Sequence, residues 1–195
     1  MARVGVSNLC YAIVKQDDDA KLVYEELKKI AGTIELNVSN SGDTSTLYAD
    51  NGAFESANAL GDIKVDITIS ELPVADYCTL IGHKIVNGIV VNHVDDVPPD
   101  VALGFERVNS KGKRTRTWLL KGSFSEPDDK NKTKEEKVNF NTESISGTFK
   151  VCQKNGYWKV FVTEGTEGIA TNVFDSFLSL ETLNSIETLL TKTGA

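Results

Sequence analysis

The chain is poor in the residues that metal and thiol chemistry need. Its 195 residues include two histidines and three cysteines. His83 and His93 stand in no HExxH motif and near no cysteine pair, so a His/Cys metal site has little support. Cys10, Cys78 and Cys152 are odd in number, widely spaced and form no CxxC. That pattern argues against a disulfide framework and a zinc site, and three reduced, buried thiols are expected. No apolar run approaches the roughly 18 residues of a membrane span. Residues 1–7 lack the apolar h-region of a signal peptide, so folding in a reducing cytoplasm is expected. The P-loop, GxGxxG and GxSxG patterns are missing as well.

Basic residues are in deficit. Lys and Arg number 21 against 28 Asp and Glu, a net charge of −7. A protein that grips nucleic-acid phosphates needs the opposite balance, although this one does not exclude a surface past which DNA slides. The basic residues concentrate in Arg107, Lys111, Lys113, Arg114, Arg116 and Lys121. A solvated hairpin, or a basic face opposite an acidic neighbouring subunit, is the preferred reading of that cluster. Asp17-Asp18-Asp19 and Asp95-Asp96 lack calcium-loop spacing and read as solvated loop charges. The glycosylation-type triplets at Asn37 and Asn131 carry no weight without a secretory signal. Cys78 and His83 lie five apart across an expected helix end, where a nucleophile and its base could be drawn. The plainer reading puts Cys78 in the core and His83 in a loop. No enzyme activity, metal or cofactor is expected.

What the chain does have is period-two alternation. With 40% apolar and 25% charged residues it can bury a sizeable core. Ile63, Val65, Ile67 and Ile69 point one way, and Asp62, Lys64, Asp66, Thr68 and Ser70 the other. Ser144, Ser146 and Thr148 alternate in the same manner with Ile145, Gly147 and Phe149. Each is a strand with one polar face. Residues 114–124 form a further strand, with Trp118, Leu120 and Phe124 on one side. Residues 101–105 form a short apolar strand joined to it by a hairpin at residues 109–113. Trp158, Val160 and Val162 alternate too, and Asn87-Gly88 is a strong hairpin signal. Helices are expected over residues 71–81, closed by Gly82, and over residues 179–190. In the second, Ser179 caps a Leu180, Leu183, Ile186 and Leu190 stripe. Propensity also favours a helix over residues 17–30. Two long polar segments, residues 37–61 and 126–137, read as loops.

An ordered set of short motifs resembles the major tail proteins of long-tailed bacteriophages of the siphophage type. It runs from residues 1–5, Asn8-Leu9 and Tyr11-Ala12 through residues 47–52, Glu71-Leu72-Pro73, residues 80–83 and Asn87-Gly88. It continues with residues 101–105, Gly112-Lys113, residues 118–127, Gly147-Thr148-Phe149 and Trp158-Lys159. The resemblance covers residues 1–165; residues 166–195, with the last helix, lie outside it as a C-terminal extension. In similar proteins the segment matching residues 21–30 is extended.

The resemblance implies a mainly β, sandwich or barrel-like tail tube fold with one flanking α-helix. It implies a structural virion protein that forms hexameric rings. These stack into the tail tube through which double-stranded DNA is ejected without specific binding. Tubes of phage-tail-like bacteriocins and injection machines are the alternative. Expected partners are other copies of the chain, then tape measure, tail terminator and distal tail proteins, with no membrane. Assembly would take place in the host bacterial cytoplasm. Asp62, Lys64, Asp66, Thr68, Ser70, Ser144, Ser146 and Thr148 are the expected lumen lining. The polar segment 37–61 holds Leu47, Tyr48, Phe54 and Leu60, more apolar surface than a free loop needs, and these together with Asp50 are the expected ring-stacking residues.

Overall fold

Alternating side chains make this a mainly β chain in the computed structural model, which describes residues 3–42, 44–49, 52–58, 60–127, 142–167, 169 and 171–191. In order along the chain the elements are β1 (Arg3–Asp17), β2 (Leu22–Lys29), β3 (Thr33–Asn40), β4 (Thr44–Ala49), β5 (Gly52–Asn58) and β6 (Ile63–Ile69). Then come α1 (Val74–Ile81), β7 (Lys84–Val86), β8 (Ile89–Val91), β9 (Val101–Asn109), β10 (Arg114–Phe124), β11 (Glu143–Phe149) and β12 (Lys159–Thr163). Three short helices follow: α2 (Thr171–Ser176), α3 (Leu180–Asn184) and α4 (Ile186–Thr191). The main sheet is antiparallel, in the order β2-β1-β9-β10-β11-β6-β3, with β12 also paired to β10. Separate hairpins are made by β4–β5 and β7–β8.

The centre of the sheet is buried on both faces. Val101, Leu103 and Phe105 of β9 join Leu9, Tyr11 and Leu119 in one core, with Ile63, Val65, Ile67 and Ile69 of β6, Ile145 and Phe149 of β11, and α1. The sheet therefore curls, because residues from its middle and from its β6 end share that core. Ala102 faces the other way, into a second core with Cys10, Trp118, Leu120, Val162 and the C-terminal residues Phe174, Phe177, Leu183 and Ile186. A strand covered on both sides reads as the continuous apolar run that residues 101–105 show.

At β10 the sheet forks. Residues 115–119 pair with β12, and residues 122–124 pair with β11. Between Leu119 and Gly122, β10 carries one residue more than β9 opposite. This bulge inverts the alternation. Phe124 therefore enters the first core, not the side of Trp118 and Leu120 that plain alternation assigns it. Around the fork, large rings face glycines across the ladder: Trp118 opposite Gly104, Phe149 opposite Gly122, and Phe124 opposite Gly147. A Cβ on Gly104 would lie 2.8 Å from the Trp118 ring, one on Gly122 2.4 Å from Phe149, and one on Gly147 2.8 Å from Phe124. Phe124 and Phe149 themselves meet edge to face, with centroids 5.9 Å apart.

Other expectations are corrected. Residues 22–29 are strand, not helix. Pairing with β1 and burial of Tyr24 against the C-terminal core override a modest helix propensity. Glu26, at φ 56°, sits where β2 carries an extra residue against β1. Helix α1 starts at Val74, beyond Pro73, and Gly82 ends it at φ 88° as anticipated. The expected single C-terminal helix is two helices broken at Ser185, whose N–H turns back to the carbonyls of Glu181 and Thr182. Ser179 caps α3 by accepting the Thr182 N–H, and Leu183 and Ile186 are buried. Leu190, beyond the break, is half exposed and leaves the stripe. The segment 37–61 is no plain loop: it carries the end of β3 and the β4–β5 hairpin.

Alanine at Gly122 or Gly104 should destabilise the protein by roughly 1–3 kcal/mol, the usual cost of overpacking a dense core. Alanine at Gly5, where a Cβ meets nothing within 4 Å, should change stability by less than about 0.5 kcal/mol. Urea unfolding of the three variants checks the contrast; equal losses would show that the rings do not require the glycines.

Candidate assembly surface

The polar strands align into one face. In the ladder, Ser144 stands opposite Thr68, Ser146 opposite Asp66, and Thr148 opposite Lys64. On the other side of β6, Glu35, Asn37 and Ser39 of β3 stand opposite the same three residues. Glu35, Asn37 and Ser39 are exposed, as are Lys64 and Asp66 and all three β11 residues, while Thr68 is half-buried. Nine outward residues thus form three rows across three strands, with Ile63, Val65, Ile67 and Ile69 inward. Ser146 donates to Asp66 at 2.7 Å, and the hydroxyls of Thr68 and Ser144 are 3.5 Å apart. Asp62 and Ser70 flank β6 instead of lying within it. The Asp62 carbonyl accepts the Ser41 N–H, and the Ser70 N–H bonds the Gly32 carbonyl. Asn37 and Ser39 were missed in the sequence because the polar segment from residue 37 reads as loop, and Glu35 was missed with them because it stands just before that segment. The signal was their alternation with Leu36 and Val38, which pack on the first core.

The two ends of the sheet differ. At the β2 edge, Asn184 mimics a strand: its Oδ1 accepts the Tyr24 N–H at 2.8 Å and its Nδ2 donates to the Tyr24 carbonyl at 3.0 Å. At the β3 edge, no strand of the described residues pairs beyond β3. Of the expected stacking residues, Leu47 and Tyr48 fall on β4 and Phe54 on β5; Leu60 is exposed just before β6, and Asp50 lies outside the described residues.

Much of the basic cluster finds acidic partners within the chain. Arg116 Nε donates to buried Glu106 at 2.7 Å, and its Nη1 reaches the carbonyls of Phe174 and Asp175. Arg114 pairs with Glu164 at 3.0 Å. Lys121 bonds Asp17 at 2.5 Å. Asp17 is therefore no solvated loop charge. Burial opposes its ionisation, but Lys121 and the N–H groups of Gln153 and Lys154 outweigh that and hold its carboxyl below the usual range. Lys111 and Lys113 are exposed at the β9–β10 turn.

His83 is engaged on both ring nitrogens by groups other than Cys78. His83 Nδ1 lies 2.8 Å from Asp96, and Nε2 lies 2.8 Å from Glu126, which also accepts from the Tyr77 hydroxyl. Both ring nitrogens are thus engaged by carboxylates. Cys78 is buried, and desolvation raises its thiol pKa. Burial also pushes Cys10 to about 12 and Cys152 to about 11, so all three remain unpaired thiols in poor nucleophilic settings. Among the described residues no helix is long and apolar enough to cross a membrane. No protein-family profile matches the chain, and no curated protein matches it.

The His83 clasp couples stability to pH through three shifted groups. Its hydrogen bond to Asp96 chiefly raises the imidazole pKa above 6.5, against the opposing effect of burial, with Glu126 adding to the rise. The His93 N–H, then His83, lower Asp96; the Tyr77 hydroxyl, then His83, lower Glu126 against burial. The histidine contribution is complete below its unfolded value and is lost as pH rises through the raised one. The carboxylate contributions are present above their unfolded values and are lost as pH falls through the lowered ones. His83→Gln should therefore flatten the fall in thermal stability as pH rises above the ordinary histidine value of 6.5. Melting curves across that range check it, and parallel profiles for the two proteins would show no such linkage.

Proposed function

We propose that this chain is the structural subunit of the tail tube of a long-tailed bacteriophage. The observation that carries the reading is the nine-residue polar face, which is backed by a continuous apolar layer and runs to β3, beyond which no strand of the described residues pairs. In this reading the curled sheet around the first core is the sandwich of a tail tube protein. Copies, six in a ring by resemblance, place the polar faces inward and stack into a conduit for double-stranded DNA. Its location is the virion tail, and its neighbours there are tape measure, tail terminator and distal tail proteins.

The chemistry of the face suits passage. Three carboxylates, Glu35, Asp62 and Asp66, against Lys64 leave −2 on the face and its flank. At a gap near the Debye length of about 8–10 Å such a wall repels DNA phosphates mildly. Serines and threonines fill most of the rest, and the face offers no aromatic platform on which bases could stack. The role needs no catalytic group.

Purified protein should form rings or tubes roughly 80–100 Å wide in negative-stain micrographs, as expected for six domains of ordinary radius around a pore. Cysteines introduced as Lys64→Cys and Thr68→Cys should react with a bulky reagent in free protomers and be protected in tubes. Rapid labelling of assembled tubes would put this face outside and overturn the lumen assignment. The double change Asp62→Lys and Asp66→Lys should assemble yet slow DNA ejection.

A further inference from the structure

We infer that His83 is a pH-operated latch: as the imidazolium it fastens the end of β10 to the end of α1, and as the neutral ring it keeps Asp96 and lets Glu126 go. Its Nδ1 lies 2.8 Å from Asp96 Oδ2 and its Nε2 lies 2.8 Å from Glu126 Oε2. A carboxylate only accepts, so both contacts need a proton on each nitrogen, whereas a neutral imidazole carries one N–H and one lone pair. Loss of one proton therefore sets a lone pair against a carboxylate oxygen, and one of the two contacts must break. The ring is nearly buried, so the change falls on its partners.

The surroundings decide which partner leaves. The Asp96 N–H donates to the His93 carbonyl at 3.0 Å, and Asp96 Oδ2 accepts the His93 N–H at 2.9 Å, so the turn 93–96 holds this carboxylate in place. Its side chain is 9% exposed, and without the imidazole N–H a buried charge would lose a donor. Glu126 is 51% exposed. It follows Ser125, whose N–H still bonds the Ser146 carbonyl, so it is the first residue past the ladder, and its carboxylate can turn to water. The remaining ring proton therefore stays on Nδ1.

Other groups near the ring do not take over the titration. Tyr77 of α1 lies beside it, with centroids 5.7 Å apart, and donates its hydroxyl to the other Glu126 oxygen. Burial and that carboxylate push Tyr77 up to about 12, so it remains a donor while His83 changes charge. Asp96 and Glu126 are held below the usual carboxylate range. His93 pairs with Asp95 at 3.4 Å on exposed surface, and Lys84, the next residue along β7, is exposed. The latch therefore opens as pH rises through the raised imidazole value, above 6.5. In the closed form α1, the turn 93–96 and the end of β10 meet on one ring; in the open form Glu126 keeps only the Tyr77 hydroxyl.

The test is a pH series of nitrogen–proton correlation spectra of the histidine rings in the 15N-labelled full chain, on protomers in solution or on assembled material by solid-state methods. His83 should become neutral as the Nδ1–H tautomer, the minor form of a free imidazole. His93, whose Nδ1 accepts the Asp95 N–H at 3.2 Å, should become the Nε2–H tautomer in the same spectra. The Glu126 amide and Tyr77 ring signals should shift at the His83 midpoint. Glu126→Gln, at a half-exposed position, should lower that midpoint and leave the His83 tautomer unchanged. Asp96→Asn should reverse the tautomer to Nε2–H. A wild-type His83 that becomes neutral as Nε2–H would overturn the inference, because Asp96 would then be the partner released. Glu126 and Tyr77 signals that ignore the His83 midpoint, or a midpoint unmoved by Glu126→Gln, would overturn it as well.

Discussion

Trp118 occupies the space that a side chain on Gly104 would need, and Phe149 and Phe124 do the same over Gly122 and Gly147. Because each ring faces its glycine directly across the ladder, a slip of one residue would set a side chain beneath every ring. The three pairs therefore fix the registers of β9–β10 and β10–β11 together. The bulge between them decides which core each residue of β10 enters. From that fork follow the division into two cores, the direction of β6 and β11, and the alignment of the polar rows on their outer side. The face proposed to meet DNA is thus positioned by packing on the opposite side of the same strands.

The second core shows how charge serves position in a chain with an acid excess. Arg116 is fixed by Glu106 and extends its guanidinium to the carbonyls of Phe174 and Asp175, stacking over the Phe174 ring at 4.5 Å. The Trp118 indole N–H reaches the Phe177 carbonyl at 2.7 Å. Two side chains of one strand thereby bind the end of α2 and the turn after it. Buried ion pairs add little net stability when weighed against apolar replacements. Their geometry here places the C-terminal segment over Ala102 and Trp118.

The fold's β character was legible because half-buried strands impose period two. Residues 63–69 and 143–149 show that pattern, and their facing directions could be read from sequence alone. Residues 22–29 could not be read so. Their helix propensity is local, whereas the contacts that make them strand come from Cys10 through Asp17 and from Asn184, far along the chain. Phe124 was misplaced because plain alternation was carried through Gly122, the one residue type there that can mark a bulge inside a strand. The polar face was half legible: β6 and β11 carry it openly, while Asn37 and Ser39 were masked by a turn-like composition, with Glu35 just before it. The His83 clasp needed the fold, since its carboxylates come from residues 13 and 43 positions away.

The side-chain amide of Asn184 has a consequence for solubility. Fibres that grow by strand addition need two complementary free edges on every chain, one to donate and one to accept. With Tyr24 already bonded on both its N–H and its carbonyl, an incoming strand meets an occupied position at β2, beside a backbone bent at Glu26 and the charges of Glu25, Lys28 and Lys29. One amide, carried on a helix from the far end of the chain, thus closes the middle of the β2 edge to strand addition.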